Sequence, residues 1–91
     1  MEFMVLKMIK VRSHSAQEMV DKLNQEDIKV PLGTIYPILK RIRAKGLVRS
    51  GLEEFDNGTI QKTYHLNDVG RRHITEMERE WKHLNRFIAE L

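Results

Sequence analysis

The side chains with the most chemistry to offer stand in PLGTIYPILKRIRAKGLV, residues 31 to 48. Lys40, Arg41, Arg43 and Lys45 crowd its last turns, and no acid lies among them. Widened to residues 28 to 49, the segment adds Lys29 and Arg49 and still holds neither Asp nor Glu. The whole chain carries a net charge of only +3, so one segment concentrates an unopposed positive field in a nearly balanced protein. The chemistry on offer is anion binding, because guanidinium and ammonium groups donate hydrogen bonds to phosphate or carboxylate oxygens. A solvated basic face is the plain alternative. The complete absence of acids favours contact with a polyanion.

Other reactive side chains form no site. His14, His65, His73 and His83 lack metal-ligand spacing and read as wing and surface residues. Ser13 and Ser15 flank His14, but their spacing suits a helix cap better than a nucleophile with its base. There is no glycine-rich phosphate loop. There is no cysteine either, which excludes disulfide frameworks and cysteine-based zinc sites. Nothing in the sequence asks for a metal or a cofactor, and an enzyme is not expected.

The elements that must carry the basic segment can be read around it. The 91 residues make one small domain, a size at which a single core is marginal and self-association is a common remedy. No apolar run approaches the roughly 20 residues of a membrane span. MEFMVLKMIK is too short and too charged for a signal peptide. A soluble cytoplasmic protein is the expectation. Phe3, Met4, Leu6, Met8 and Ile9 predict a short first helix, broken at Val11-Arg12-Ser13. Ser15-Ala16-Gln17-Glu18 is a capping box, opening a helix that buries Met19, Val20 and Leu23 and frays near Gln25-Glu26-Asp27. Ile28-Lys29-Val30 connects to the third helix. After Gly46 the pattern changes to a strand over Leu47 to Phe55, and Asp56-Asn57-Gly58 predicts a type I′ hairpin turn. The chain returns along Ile60 to Leu66, with Ile60, Tyr64 and Leu66 on one face and Gln61, Thr63 and His65 on the other. Asn67 caps a last helix. Three helices, a two-stranded wing and a further helix make a mainly α, winged helix-turn-helix arrangement, whose third helix is the one that enters a DNA major groove.

At about 100° per residue, Ile35, Ile38, Leu39 and Ile42 share the core face of that third helix. Gly33, Pro37, Lys40, Arg41 and Ala44 point the other way, flanked by Thr34 and Tyr36. Gly33, Pro37 and Ala44 are small or compact, so the helix can approach a groove floor closely there. Pro37 lacks an N–H and frees the Gly33 carbonyl, normally at a cost of about 3 kcal/mol inside a helix. Here the loss falls in the second turn on the outward side, where Gly33 has no side chain to crowd the proline ring. Pro31 stands at the helix start, where a missing N–H is free of cost.

The stretch GTIYPILKRIRAKGLV resembles the PadR family of transcriptional regulators, through Gly33, Thr34, Ile35, Tyr36, Pro37, Leu39, Arg41, Gly46 and Leu47. A second block, KTYHLNDVG, matches at Lys62, Tyr64, Leu66 and Gly70. The resemblance spans about residues 3 to 91, and the single short last helix is similar to the smaller branch of the family. It implies a homodimeric, usually repressing, DNA-binding protein in which the last helix packs with the partner's first helix. It places Thr34 and Tyr36 at the DNA, and it implies release of DNA on binding a small phenolic or multidrug-type compound. The sequence departs from the pattern at Pro31, where the family has a polar cap. It also departs at His14-Ser15-Ala16, which lacks the family's tyrosine. The wing, Thr59-Ile60-Gln61-Lys62-Thr63, is poorer in arginine and tyrosine than the family's. Glu53, Glu54 and Asp56 further argue against strong wing–DNA contact.

In the last helix Ile74, Met77, Trp81, Leu84, Ile88 and Leu91 follow steps of 3, 4, 3, 4 and 3, a heptad seam with Phe87 beside it. So narrow a seam favours pairing with a second helix, in a dimer or on the chain's own first helix. Trp81 is either an aromatic platform for flat ligands or an anchor that fills space. The resulting expectations divide the chain into residues 1–66, a winged helix-turn-helix unit, and residues 67–91, a dimerisation helix. Thr34, Tyr36, Lys40 and Arg41 enter or border the major groove of an inverted-repeat operator. Lys29, Arg43, Lys45 and Lys62 hold phosphates. Phe3, Leu6, Ile74, Met77, Trp81, Leu84, Phe87, Ile88 and Leu91 line the dimer interface, with Trp81 as a possible platform for a planar aromatic ligand. The other reading is a winged-helix interaction module whose basic helix meets an acidic protein.

Overall fold

The computed structural model describes residues 1–91. Its elements are α1 (Glu2–Val11), β1 (His14–Ser15), α2 (Ala16–Gln25), α3 (Leu32–Ala44), β2 (Val48–Glu54), β3 (Ile60–Leu66) and α4 (Asp68–Ala89). The sheet is antiparallel with order β1-β3-β2, so the returning strand of the wing lies in the middle. This is the winged helix-turn-helix with an added C-terminal helix. No helix is long and apolar enough to cross a membrane.

Four of the helix boundaries have a local cause in side-chain caps or left-handed residues. The capping box of α2 forms as its residues require: Ser15 Oγ accepts from the Glu18 N–H, and the Glu18 carboxylate accepts from the Ser15 N–H at 3.0 Å. α3 ends in a Schellman motif, in which Leu47 N–H reaches Ile42 O and Gly46 N–H reaches Arg43 O, with Gly46 at φ 73°. α2 ends the same way with Asp27 at φ 59° in the glycine position. Asn67 caps α4 by accepting from the Gly70 N–H at 2.8 Å, and its amide donates to Gly46 O at 2.7 Å. One side chain thereby ties the end of the wing to the exit of α3. Gly70 completes that joint: a Cβ there would collide with the Leu47 carbonyl oxygen.

The hairpin turn differs from the type I′ expectation. Gly58 N–H donates to Phe55 O, only Gly58 among the turn residues has positive φ (83°), and Phe55 N–H pairs with Thr59 O. That is a three-residue loop, a type I turn followed by a left-handed glycine. Asn57 keeps negative φ and turns its side-chain oxygen onto the Thr59 N–H and hydroxyl instead.

The core gathers one face of each helix: Val5, Leu6 and Ile9 of α1, Met19 and Leu23 of α2, Ile35, Leu39 and Ile42 of α3, and Ile74 of α4. Val48, Tyr64 and Leu66 close it from the sheet. Full burial of each such aliphatic side chain contributes about 1.5–3 kcal/mol.

Two features of the sheet depart from the sequence reading. His14 and Ser15 form a third strand, paired with Tyr64 and Thr63. His14 is therefore buried, 1% exposed, and not a surface residue. Thr63 is buried as well, between Ser15 on one side and Gly51 on the other. Ile60 does share the face of Tyr64 and Leu66 by strand parity, but it lies at the wing tip, beyond the core, and is 69% exposed.

Candidate nucleic-acid interface

α3 presents the two faces its periodicity predicts. Ile35, Ile38, Leu39 and Ile42 are buried, while Gly33, Thr34, Tyr36, Pro37, Lys40, Arg41, Arg43 and Ala44 are exposed. Pro37 sits inside the helix as expected. A Cβ added to Gly33 would meet nothing within 4 Å, so the bare glycine is not needed to make room for the proline ring.

The positive field is left largely uncompensated. The ion pairs of the fold are Lys7 and Lys10 with Glu78, Arg12 with Glu18, and Lys45 with Glu2. Lys29, Lys40, Arg41, Arg43, Arg49 and Lys62 take part in none of them. Lys45 is paired within the chain: its ammonium lies 2.9 Å from the Glu2 carboxylate and links the end of α3 to the start of α1. Lys62 stands 6.0 Å from the Tyr64 ring centroid, a cation–π distance that holds it near the base of the wing. The Tyr64 phenol is pushed above its usual range, first by burial and then by nearby Tyr36, which outweigh the Arg43 charge. Tyr36, Arg43 and Tyr64 are thus neighbours where α3 faces the wing.

The residues expected at a dimer interface split into two groups. Leu6 and Ile74 are 0% and 1% exposed. Both lie in the core of the single chain. Met77 and Phe3 are half-buried against the same core. Trp81, Leu84, Phe87 and Ile88 are exposed along the outer half of α4, and Leu91 just past its end. The seam therefore begins as core and runs off the body as an open apolar stripe. α4 also packs on its own α1: Lys10 reaches Glu78 at 2.8 Å, and the Phe3 and Trp81 rings lie 6.2 Å apart at 39°. The Lys10 bond, with the Lys7 charge, holds the Glu78 carboxyl below its usual range. Between α1 and α4 an open apolar groove of about 650 Å³ is lined by Met1, Phe3, Met4, Met77, Trp81 and Leu84, with Lys7 and Glu80 at its rim.

No three His, Cys, Asp or Glu side chains cluster as metal ligands would. His14, the one buried histidine, has its Nδ1 2.9 Å from Arg12 O and its Nε2 without a partner. Burial lowers its pKa below 6.5; the Arg12 carbonyl bond opposes that shift, and the Arg12 charge adds to it.

Comparison with known proteins agrees with this geometry. The model of the transcriptional regulator PadR-like family matches residues 5–76. No curated protein sequence matches. Among solved structures, a PadR-like transcriptional regulator from Bacillus cereus is 27% identical with a TM-score of 0.87, covering 98% of this chain and 87% of that one. A PadR-like transcription factor from Bacteroides fragilis is also 27% identical, with a TM-score of 0.85 and coverage of 98% and 86%. A Streptococcus transcriptional regulator, 24% identical, shares the fold at a TM-score of 0.89, with 98% and 88% covered. The family match runs from α1 through the exposed basic helix and the wing into the first half of α4, and on that ground this chain belongs to the PadR-like family of DNA-binding transcriptional regulators, which are not enzymes.

Proposed function

We propose that this chain is a homodimeric repressor that reads an inverted-repeat operator through α3. One observation carries the reading: the outward face of α3 joins unpaired cations to small residues, so the helix can lie close to a groove floor while its basic side chains reach phosphates. Thr34, Tyr36, Lys40 and Arg41 enter or border the major groove, and Lys29, Arg43 and Lys62 hold phosphates. Lys45 reaches a phosphate only by leaving Glu2. Residues 1–66 form the DNA-binding unit. Residues 67–91 form the dimerisation helix of a small member of the family, through Met77, Trp81, Leu84, Phe87, Ile88 and Leu91, with Phe3 of α1 beside them. A two-fold dimer sets its half-sites about 34–36 Å apart, or a multiple of that. A planar aromatic compound stacking on Trp81 in the groove beside Phe3 relieves repression. Such a protein works in the cytoplasm, where the DNA is.

The test is fluorescence anisotropy with duplex DNA from directly upstream of the chain's own gene, against a scrambled duplex, at two salt concentrations. A preference of about 10³-fold or more is expected. Lys40→Ala with Arg41→Ala should weaken binding and flatten the slope of log K against log salt by about 2. An unchanged slope removes those residues from the interface. No binding at low salt turns α3 toward an acidic protein partner. Quenching of Trp81 by a planar aromatic compound, without loss of DNA affinity, separates ligand binding from regulation.

A further inference from the structure

The chain has five methionines and no cysteine, so thioethers are the only sulfurs an oxidant can meet. Burial sorts them into two sets. Met8 and Met19 are 7% and 0% exposed, inside the core. Met1 is exposed, and Met4 and Met77 are half-buried. These last three all line the open groove between α1 and α4, beside Phe3 and Trp81. Every thioether outside the core therefore stands in one place, although Met4 and Met77 come from opposite ends of the chain. In that place the buried part of the α4 seam gives way to its exposed part: Ile74 is buried, Trp81 is exposed, and Met77 lies between them. The lining has few polar groups. Lys7 and Glu80 stand at its rim, and Lys7 already faces Glu78 at 3.5 Å.

We propose, on the reading that a dimer forms across this groove, that Met4 and Met77 are oxidation sites through which hydrogen peroxide loosens it. The thioether sulfur attacks one peroxide oxygen. The O–O bond breaks, a sulfur–oxygen bond forms, and the other oxygen leaves as water with both peroxide protons. Sulfur loses two electrons and peroxide gains them. A soft apolar side chain becomes a polar one. In the groove the new oxygen meets one cationic donor, Lys7, which is paired with Glu78. A partner helix laid over the groove would bury an unpaired acceptor, and that opposes association. The fold of the single chain is spared, because Met8 and Met19 stay covered in the core. With no thiol in the chain, no more reactive sulfur competes for the oxidant. The partner covers the same two methionines, so peroxide attacks separated chains and then holds them apart.

Peroxide treatment of the full chain, followed by peptide mass spectrometry and sedimentation, tests this. Met4 and Met77 should each gain one oxygen roughly tenfold faster than Met8 and Met19, and more slowly as rising protein concentration drives the chains together. The dimer dissociation constant should rise about tenfold or more. Operator affinity should fall with it, and methionine sulfoxide reductase should restore both. Met4→Leu with Met77→Leu keeps the side-chain volume. Measured against its own untreated sample, this variant should show neither change. If Met8 and Met19 oxidise as fast as Met4 and Met77, the groove is not a selective site and the inference fails. If Met4 and Met77 are oxidised while the dimer constant stays as it was, the inference fails alone and the dimer stands. Peroxide that separates the leucine variant equally well acts through another side chain, which also overturns it. If the untreated protein sediments as a monomer at micromolar concentration, the dimer reading falls first and takes the oxidation sites with it.

Discussion

At the scale of single residues, His14 is where the fold is most exposed to its surroundings. It is buried on a two-residue strand with Nε2 lacking a partner, and the charges that reach it are Arg12, Glu18 and Lys22, with Tyr64 across the strand pair. Burial holds its folded pKa below 6.5, so the folded state keeps the ring neutral where the unfolded chain would take a proton. The unfolded state then binds more protons, and stability rises with pH. The contribution is intact above about 6.5, the ordinary histidine value. It is lost as pH falls from there through the lower folded pKa. Thermal melts from pH 7.5 down to 5 should show this loss, and His14→Gln should remove part of the slope. Equal slopes for the two proteins would mean that the ring is solvated or finds a partner on protonation. The sequence showed a histidine beside two serines. It did not show the burial, because β1 exists only by pairing with β3, whose residues lie about fifty positions further on.

At the scale of elements, α3 was legible and the wing only partly so. A helix writes its burial into every third and fourth residue, and Ile35, Ile38, Leu39 and Ile42 obey that rule. The same regularity makes the outward face readable, including the glycine. Gly33→Ala is the sharpest probe of that face. Within the chain the new methyl meets nothing, and alanine favours helix over glycine by up to about 1 kcal/mol. The variant should melt at the same temperature or higher, yet bind operator DNA roughly tenfold or more weakly, by crowding the groove floor at a cost of about 1–3 kcal/mol. Unchanged affinity would show that α3 stands off from the groove at this point. The hairpin position was also legible from Asp56-Asn57-Gly58, but its turn type was not. Asn-Gly is compatible with two loop lengths, and the choice between them depends on the register of seven paired residues in each strand.

At the scale of the molecule, the chain is too long for its core. A compact chain of this length has a radius of gyration of about 12 Å; here it is 14.5 Å, with extents of 51 × 31 × 21 Å. The excess is α4, 22 residues long, about 33 Å of helix, of which Gly70 and Ile74 are the buried members. Trp81, Leu84, Phe87 and Ile88 lie 47–57% exposed on one stripe beyond it, an arrangement that isolated small domains do not keep for nothing. If the proposed dimer forms through this stripe, Leu84→Asp with Ile88→Asp should shift it to monomer in sedimentation, leave the fold of residues 1–66 in place, and reduce operator affinity by about 10²-fold or more, since two linked half-site contacts become one. If the unaltered protein sediments as a monomer at micromolar concentration, α4 has another partner.

The sequence by itself determined the four helices and the two strands of the wing, the basic face of α3 and the apolar seam of α4, because periodicity and charge are local properties that a single chain displays in order. It also carried the family resemblance, since that lies in short blocks around Gly33 and Tyr64. Only the tertiary structure decided how the seam is divided. Ile74 and Leu6 lie on stripes no different from those of Leu84 and Phe3, and burial separates them solely by where α1 and α4 cross. It also decided that Lys45 is tied to Glu2, and that Gln17, Tyr36 and Lys62 share one cleft. Those facts depend on residues far apart in the chain being brought together, and periodicity within one element carries no record of what lies across from it.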